Sequence, residues 1–445
     1  MRTPIYDFVR KYTSSEASRF HMPGHKGKNL LGCEALDITE IGGADCLYSA
    51  NGVILESENN ATALFGTAHS FYSAEGSTLA IKAMLALITE EARARGERAL
   101  VIAARNAHKA FINACALLDL DVSWIYPSGD EHMCECHISV KDVEKAILES
   151  KITPSAVYLT SPDYLGNIAD IKAISEVCKK HGIALCVDNA HGAYLKFLSP
   201  SLHPIDLGAD ICCDSAHKTL PVLTGGAYLH VSQDAAKYLA RARDYLSLFA
   251  STSPSYLILQ SLDLCNKYLA EEYVGELSEF IKKFDTLKAT IAALGFKALD
   301  KEPLKLVIDA NASGYAGTEL AELLRENNIE PEFADDKYLV LMATPQNGER
   351  DVEKLVAALS AIAHRTPITS ASPKYPRAEQ VMSIRDAMLS PTKTVAVKDA
   401  KGCICGTPTV SCPPAVPIIV SGERVTDEVI DLLNFYKTEY IKVVK

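Results

Sequence analysis

A lysine with a hydroxyl and an imidazole beside it is the group in this chain best suited to covalent chemistry. The stretch 214–219 reads Asp-Ser-Ala-His-Lys-Thr and follows the short apolar run 209–213 directly. A residue just past the end of a strand lies where an open α/β sheet places its ligands. Among neighbours that disfavour its charge, the Lys218 amine can lose a proton and attack a carbonyl group. The alternative is an ordinary solvated loop lysine. Residues elsewhere in the chain are needed to distinguish the two interpretations.

Two further polar residues follow predicted strands. His108 comes after the apolar run 100–104, and Asp188 ends the apolar run 183–187. Because parallel strands present their carboxyl ends at one edge of a sheet, we expect both residues at the same edge as Lys218. Asp188 could keep a pyridine nitrogen protonated, and His108 could lie flat on the ring. A helix cap and a structural histidine are the respective alternatives.

The sequence also offers a place for a phosphate group. Gly76, Ser77 and Thr78 begin a strongly apolar predicted helix, where free backbone N–H groups, hydroxyls and the positive end of the helix dipole favour an anion. An ordinary N-cap is the alternative. Ser215 and His217 could complete the surroundings of the phosphate. A lysine, a pyridine partner and a phosphate site together indicate pyridoxal 5'-phosphate (PLP) as the cofactor.

Composition excludes several other classes of function. A net charge of −11 argues against a general surface for nucleic acid or anionic membrane. The absence of an apolar leader and of a run long enough to span a bilayer predicts a cytoplasmic protein. The 13 cysteines are spread widely and often lie in apolar runs, which is typical of reduced thiols. The pairs Cys134/Cys136 and Cys403/Cys405 do not match standard zinc spacing, so no metal site is expected.

The order of the predicted elements indicates an α/β fold. Helices alternate with short apolar strands between residues 100 and 188, which predicts a mainly parallel sheet covered on both faces. Three long helices follow, at 233–245, 255–272 and 276–294. A smaller α/β pattern then begins near residue 295. We therefore predict three regions, listed in chain order: an N-terminal arm at 1–20, a major domain at 21–294 and a small C-terminal domain at 295–445.

Near the C-terminus, the sequence predicts individual strands and a helix. Short strands are expected at 395–397 and 418–420, followed by a helix at 427–440. The chain contains no P-loop and no G-x-G-x-x-G motif, so a nucleotide-dependent activity has less support.

Four motifs together resemble a known enzyme family, the ornithine/lysine/arginine decarboxylases of the aspartate-aminotransferase fold. They are His-Met-Pro-Gly-His-Lys-Gly at 21–27, Asp-Asn-Ala-His-Gly-Ala at 188–193, Ser-Ala-His-Lys at 215–218 and Ser-Thr-Ser-Pro-Ser-Tyr at 251–256. The resemblance covers nearly the whole chain and is closest to compact members that lack an N-terminal wing domain. It implies a PLP-binding major domain of fold type I with a smaller α/β C-terminal domain.

The resemblance also implies roles for individual residues. Lys218 is the Schiff-base lysine, Asp188 the partner of the pyridine nitrogen and His108 the residue stacked on the ring. The phosphate contacts and the remaining ring neighbour are Gly76, Ser77, Thr78, Ser215, His217 and His191. Either Lys218 or His217 returns a proton to the substrate. The 251–255 loop is expected to reach a neighbouring subunit's site, so the active unit is a homodimer or a larger assembly.

The implied reaction is PLP-dependent decarboxylation of arginine, lysine or ornithine to a polyamine-type amine. An aminotransferase or lyase reaction and a non-catalytic PLP-binding regulator are the alternatives. The runs 45–51 and 410–417 depart from the family pattern, which leaves the substrate open among the three amino acids. The candidates to bind the basic end of the substrate are Asp45, Glu58 and Glu423, because a buried cation needs a carboxylate or other acceptors.

Overall fold

Seven short strands form the central sheet of the computed structural model, which describes residues 1–126, 135–299, 301–369, 375–409 and 416–445. The strands are β1 His69–Ser73, β2 Leu100–Ala104, β3 Asp121–Ile125, β4 Ala156–Thr160, β5 Ala184–Asp188, β6 Ile211–Asp214 and β7 Ala227–Val231. Their order across the sheet is β1-β7-β6-β5-β4-β2-β3. Strands β5 and β6 pair in parallel, whereas β7 is antiparallel to both β6 and β1. The sheet is mainly parallel, which confirms the predicted architecture.

Helices connect these strands and continue beyond them. They are α1 Pro4–Ser14, α2 Val53–Phe65, α3 Gly76–Ile88, α4 Glu90–Ala94, α5 Lys109–Leu118, α6 Val140–Leu148, α7 Ile171–Lys180, α8 Ala216–Thr219, α9 Leu239–Phe249, α10 Tyr256–Tyr268 and α11 Val274–Ala293. A π-helical turn at Leu269–Tyr273 joins α10 to α11. Helix α3 buries apolar side chains around most of its circumference, as expected of a core helix. Among the described residues, no helix combines the length and the apolar character needed to cross a membrane.

Helix α7 shows how the local sequence places a strand. Ile171, Ile174 and Cys178 recur at helical spacing and are buried. The side chain of Asp170 caps the helix by accepting a hydrogen bond from the backbone N–H of Ala173 at 3.1 Å. Gly182 has φ +68° just after the helix, a conformation that ends helices and favours glycine. The chain then turns directly into β5, which ends at Asp188.

The chain divides into two compact units. The first comprises Met1–Val101, Ile147–Leu159 and Asp170–Val274, and the second comprises Ile102–Ala146, Thr160–Ala169 and Gly275–Lys445. In the first unit, Asp263 of α10 accepts hydrogen bonds from the backbone N–H groups of Ile5 and Tyr6 at 2.9 and 3.0 Å. The predicted boundaries at residues 20 and 294 stay predictions.

The second unit contains two small antiparallel sheets. The first has the order β10-β11-β9-β8, and the second pairs β12 with β13. The strands are β8 Lys297–Leu299, β9 Lys305–Asp309, β10 Phe333–Ala334, β11 Tyr338–Met342, β12 Thr392–Ala396 and β13 Tyr440–Val444, and the helices are α12 Gly317–Glu326, α13 Glu349–Ser360, α14 Ile384–Leu389 and α15 Asp427–Phe435.

Two predictions near the C-terminus were wrong. The run 418–420 is not a strand, because Ile419 forms only an isolated bridge with Thr409. The predicted helix 427–440 ends at Phe435, and Tyr440 begins β13 instead. Residues 441 and 443 of that strand are buried and their neighbours are not, which is the two-residue period of a strand.

Candidate active site

Asp188 lies at the carboxyl end of β5 and is buried, with 2% of its surface exposed. One carboxylate oxygen accepts a hydrogen bond from the hydroxyl of Tyr158 at 3.1 Å. The other accepts from the backbone N–H of Ala190 at 3.2 Å, with the Sγ of Cys213 at 3.6 Å. The carboxylate is therefore held by neutral donors on both sides. A buried anion in such surroundings gains from a cationic partner.

Lys218 lies in the short helix α8, immediately after β6, and is half-buried. Its Nζ is 3.0 Å from the Nε2 of His191. His191 follows β5 by three residues and is buried, with 5% exposure. Since β5 and β6 are parallel neighbours, the structure brings the predicted lysine and the predicted ring neighbour together at the carboxyl ends of these two strands.

The first turn of α3 carries the predicted phosphate residues. Gly76 has φ +69°, in the left-handed region that favours glycine. The hydroxyl of Ser215 donates to the hydroxyl oxygen of Ser77 at 2.8 Å, which joins the start of α3 to the turn after β6. Thr78 lies in the same first turn and is half-buried. The hydroxyls and the N–H groups of Ser77 and Thr78, in the first turn of a 13-residue helix, form a donor set suited to a phosphate.

His217 is fixed by its Nδ1, which donates to the backbone carbonyl oxygen of Gly226 at 3.0 Å. Burial lowers the pKa of His217 below its ordinary value, the hydrogen bond to Gly226 opposes this shift, and the charge of Lys218 adds to it. The imidazole is therefore neutral at pH 7 and offers Nε2 as a hydrogen-bond acceptor.

His108 has a local role in the second unit. Its Nδ1 accepts a hydrogen bond from the backbone N–H of Ala110 at 3.1 Å, so the side chain caps the start of α5. A structural role was the alternative that the sequence analysis gave for this histidine. Stacking of His108 on a cofactor ring stays a prediction.

The three carboxylates considered for the basic end of the substrate have other partners. Asp45 accepts hydrogen bonds from five backbone N–H groups, of residues 46, 51, 52, 54 and 55. Burial alone would raise the pKa of Asp45, but these bonds lower it overall. The carboxylate thus shapes the loop that leads into α2.

Glu58 and Glu423 are each buried in an ion pair. Glu58 contacts the guanidinium of Arg243, and its Oε2 is 3.1 Å from the Nε2 of His69. Glu423 lies 3.2 Å from the guanidinium of Arg105. Glu58 and Glu423 each already have a cation, and Asp45 is held by backbone N–H groups. These contacts therefore do not support the expectation that Asp45, Glu58 or Glu423 receives the substrate.

The predicted cysteine clusters are described only in part. Cys134 lies outside the described residues. So does the segment 410–415, which is part of the run 410–417 that departs from the family pattern. The cysteines that the structure describes are free thiols. Burial raises the pKa of the Cys405 thiol to about 12, so this side chain stays protonated at neutral pH.

Sequence reasoning did not identify Tyr158, which holds Asp188. A signal was present, because a tyrosine in a continuously apolar strand needs a hydrogen-bond partner for its hydroxyl once it is buried. It also missed the buried group formed by Asp214, His203 and His230. These three residues come from separate segments, so no sequence motif joins them.

Comparison with known proteins identifies the class of this architecture. The fold is similar to the crystal structure of the Francisella novicida lysine decarboxylase LdcF, with a TM-score of 0.82 at 16% identity over 100% of this chain and 81% of that one. It is also similar to Sphingomonas wittichii serine palmitoyltransferase, with a TM-score of 0.56 at 15% identity over 80% and 83%. Such likeness shows that this chain has the fold of these enzymes.

Sequence comparison narrows this class to one family. The family described as "Orn/Lys/Arg decarboxylase, major domain" matches residues 3–301. The arginine decarboxylase of Bacillus subtilis is 29% identical over 462 residues, which cover 96% of this chain and 92% of that protein. The uncharacterized protein YaaO of the same organism is 30% identical, over 98% and 94%. The chain belongs to the Orn/Lys/Arg decarboxylase family, which confirms the predicted family, cofactor and class of reaction.

Proposed function

We propose that this enzyme decarboxylates arginine, lysine or ornithine at a PLP site formed by Lys218, Asp188 and the start of α3. The observation that carries the proposal is the contact of Lys218 with His191, which follows the buried Asp188 by three residues, at the carboxyl ends of two parallel strands. When bound, PLP supplies an electron sink that lets the substrate carboxylate leave as CO₂.

Asp188 fits a protonated pyridine nitrogen on electrostatic grounds. Its hydrogen-bond partners Tyr158 and Ala190 are neutral, so the buried carboxylate gains from a positive group. Each oxygen can accept more than one hydrogen bond. Asp188 would therefore hold the ring proton in place, which keeps the ring electron-poor.

Lys218 would bind the cofactor through its amine. The Nε2 of His191 lies 3.0 Å from the Nζ of Lys218, so it would orient the amine for attack on a carbonyl group. Ser77, Thr78 and Ser215 would hold the phosphate at the start of α3, while the backbone N–H of Gly76 donates to the carbonyl oxygen of Gly225 at 2.7 Å.

His217 has two possible uses. In the neutral imidazole, Nε2 is an acceptor, as are the oxygens of a phosphate dianion. The ring therefore has to gain a proton before it can donate to the phosphate. Once protonated, it could also return a proton to Cα after CO₂ is lost. Lys218 is the other candidate for that step, and both remain part of the proposal.

A homodimer or a larger homo-oligomer with shared sites completes the proposal. Four large apolar side chains near the N-terminal motif project into solvent: Phe20, Met22, Leu30 and Leu31 are 98%, 69%, 88% and 89% exposed. Such a cluster is typical of a surface that a partner covers. The 251–255 loop begins beside the start of α3, where the backbone N–H of Ser251 donates to Glu75 at 2.6 Å. A cytoplasmic location and a role in making polyamine-type amines are part of the same proposal.

The direct test of the reaction is CO₂ release from a panel of amino acids by the PLP-loaded enzyme. We expect release from at least one of arginine, lysine and ornithine, and none from leucine or glutamate. Release confined to an uncharged or acidic amino acid would contradict the basic substrate. Formation of a keto acid without CO₂ would favour the aminotransferase alternative.

A further inference from the structure

A fully buried group of polar side chains adjoins the proposed cofactor residues in sequence. Asp214 ends β6, His230 lies in β7 and His203 precedes β6, and none of the three has exposed surface. The Nε2 atoms of His203 and His230 lie 3.0 and 3.2 Å from the same oxygen, Oδ2 of Asp214. The other oxygen, Oδ1, accepts a hydrogen bond from the side-chain amide of Asn189 at 2.7 Å.

The hydrogen bonds fix the protonation of this group. An ionised carboxylate only accepts, so both imidazoles carry a proton on Nε2. The Nδ1 of His230 lies 2.8 Å from the hydroxyl of Ser70, which lies 2.8 Å from the hydroxyl of Thr67. Burial opposes ionisation of Asp214, but its contacts with His203 and His230 hold its pKa well below the ordinary value. The group therefore consists of one buried anion held by three side-chain donors.

Asn189 connects this anion to the proposed partner of the pyridine ring. It directly follows Asp188, and its backbone N–H donates to the carbonyl oxygen of Cys213 at 3.0 Å, which extends the pairing of β5 with β6. Side chains alternate along a strand, so Asp214 faces away from Cys213, whose thiol contacts Asp188. Asp214 thus holds the turn after Asp188 from the opposite face of the sheet.

The peptide chain connects the same anion to the proposed cofactor lysine. Ser215 follows Asp214 and contacts Ser77 at the start of α3, and Lys218 comes three residues later. One carboxylate therefore restrains the ends of β5 and β6 together. Asp214 is thus connected to both turns, the one that carries the lysine and the one that follows the ring partner.

We propose that Asp214 is a positioning residue for the decarboxylation reaction. By holding Asn189 and the turn into α8, it sets the position of Asp188 relative to Lys218 without touching the substrate. The inference rests on the proposed roles of those two residues. The three side chains of the group also lie close enough to share a cation, but the hydrogen bonds account for the contacts between them.

The test compares Asp214→Asn with a matched control, Asp210→Asn. Asp210 lies just before the other end of the same strand, where it accepts a hydrogen bond from the backbone N–H of Leu185 at 2.8 Å. In Asp214→Asn, the NH2 group replaces a carboxylate oxygen that accepts from Asn189 or from the histidines. Two donors then face each other, and at least one hydrogen bond is lost. We expect kcat to fall by about tenfold to a hundredfold through misplacement of the reacting groups, with KM changed far less. The control should retain the kcat of the unmodified enzyme.

The visible spectrum of bound PLP provides a readout that a purely structural role would not change. The pH midpoint of its absorbance should shift in Asp214→Asn, because the surroundings of Lys218 and Asp188 change. If that variant fails to fold, His203→Phe removes one of the three donors to Asp214 at similar side-chain volume and should show the same two effects, reduced to a few fold in kcat.

An unchanged spectrum and kcat in the folded variant, with only a lower melting temperature, would overturn the proposal. So would an unchanged spectrum and kcat in His203→Phe when Asp214→Asn does not fold. Failure of the underlying site assignment is recognised separately, because peptide mapping of the reduced enzyme would then place the cofactor on a lysine other than Lys218.

Discussion

At the scale of single residues, the proposed activity depends on a carboxylate and an amine at the ends of adjacent strands. Asp188 is buried among the neutral donors Tyr158 and Ala190, while Lys218 is half-buried beside His191. The first arrangement favours a positive partner, and the second leaves an amine able to react. The two residues therefore have different requirements that a single cofactor satisfies.

Asp188→Asn should leave the fold and the cofactor in place but remove most of the activity. A neutral amide cannot keep the pyridine nitrogen protonated, and the barrier should rise by about 4 kcal/mol, which lowers kcat about a thousandfold. Steady-state rates and the PLP content of the purified variant measure the two effects. Asp210→Asn is the control, and near-normal turnover in Asp188→Asn would show that another group holds the ring nitrogen.

At the scale of elements, α1 is attached to α10 by a buried carboxylate. Asp263 accepts from the backbone N–H groups of Ile5 and Tyr6 and from the hydroxyl of Ser57 at 2.5 Å. Burial raises the pKa of Asp263 to about 6, although these hydrogen bonds lower it in part. The folded protein therefore binds a proton here at a pH where the unfolded chain has lost it.

Asp263→Asn should weaken the pH dependence of stability between about pH 4 and pH 6. Because the folded pKa of Asp263 lies above the unfolded value, this group stabilises the fold below pH 4, and that contribution is lost as the pH rises through about 6. The amide can still accept from Ile5 and Tyr6 and can donate to Ser57. Urea unfolding at pH 4.5 and pH 6.5 measures the difference, expected to be about 2 kcal/mol or less. An identical pH slope in the variant would contradict the assignment.

The elements that the sequence predicted are those with a clear apolar period. Helix α7 and strands β2 to β6 follow such patterns, and each is present. Strands β1 and β7 were not predicted, since Ser70 and His230 are polar yet buried. Their hydrogen bond joins residues 160 apart in the chain, so local sequence cannot show that either one is satisfied. Strand β13 was not predicted, and the helix before it was extended to Tyr440, for the related reason that the partner strand β12 is remote in the chain.

Part of the candidate site was also predictable from the sequence. Lys218, Asp188 and the Gly76-Ser77-Thr78 turn stand out because each follows or precedes an apolar run. Which carboxylates are free to bind a substrate could not be predicted, because the pairing of Glu58 with Arg243 spans 185 residues.

At the scale of the whole molecule, assembly should limit activity. A Lys218→Ala chain and a chain with 251–255 replaced by a Gly-Ser segment should each be inactive alone. When the two chains are unfolded, mixed and refolded together, part of the activity should return, since a heterodimer would contain one site with both parts intact. The control is a mixture of two Lys218→Ala preparations. A fully active monomer on size-exclusion chromatography would contradict shared sites.

The proposed function depends most directly on Lys218 binding the cofactor. The most direct measurement is borohydride reduction of the PLP-loaded enzyme, followed by proteolysis and mass spectrometry of the labelled peptide. We expect the label on Lys218 and no covalent label in Lys218→Ala, which should still bind PLP weakly through the phosphate donors. A label on Lys26 or Lys109 would contradict the account.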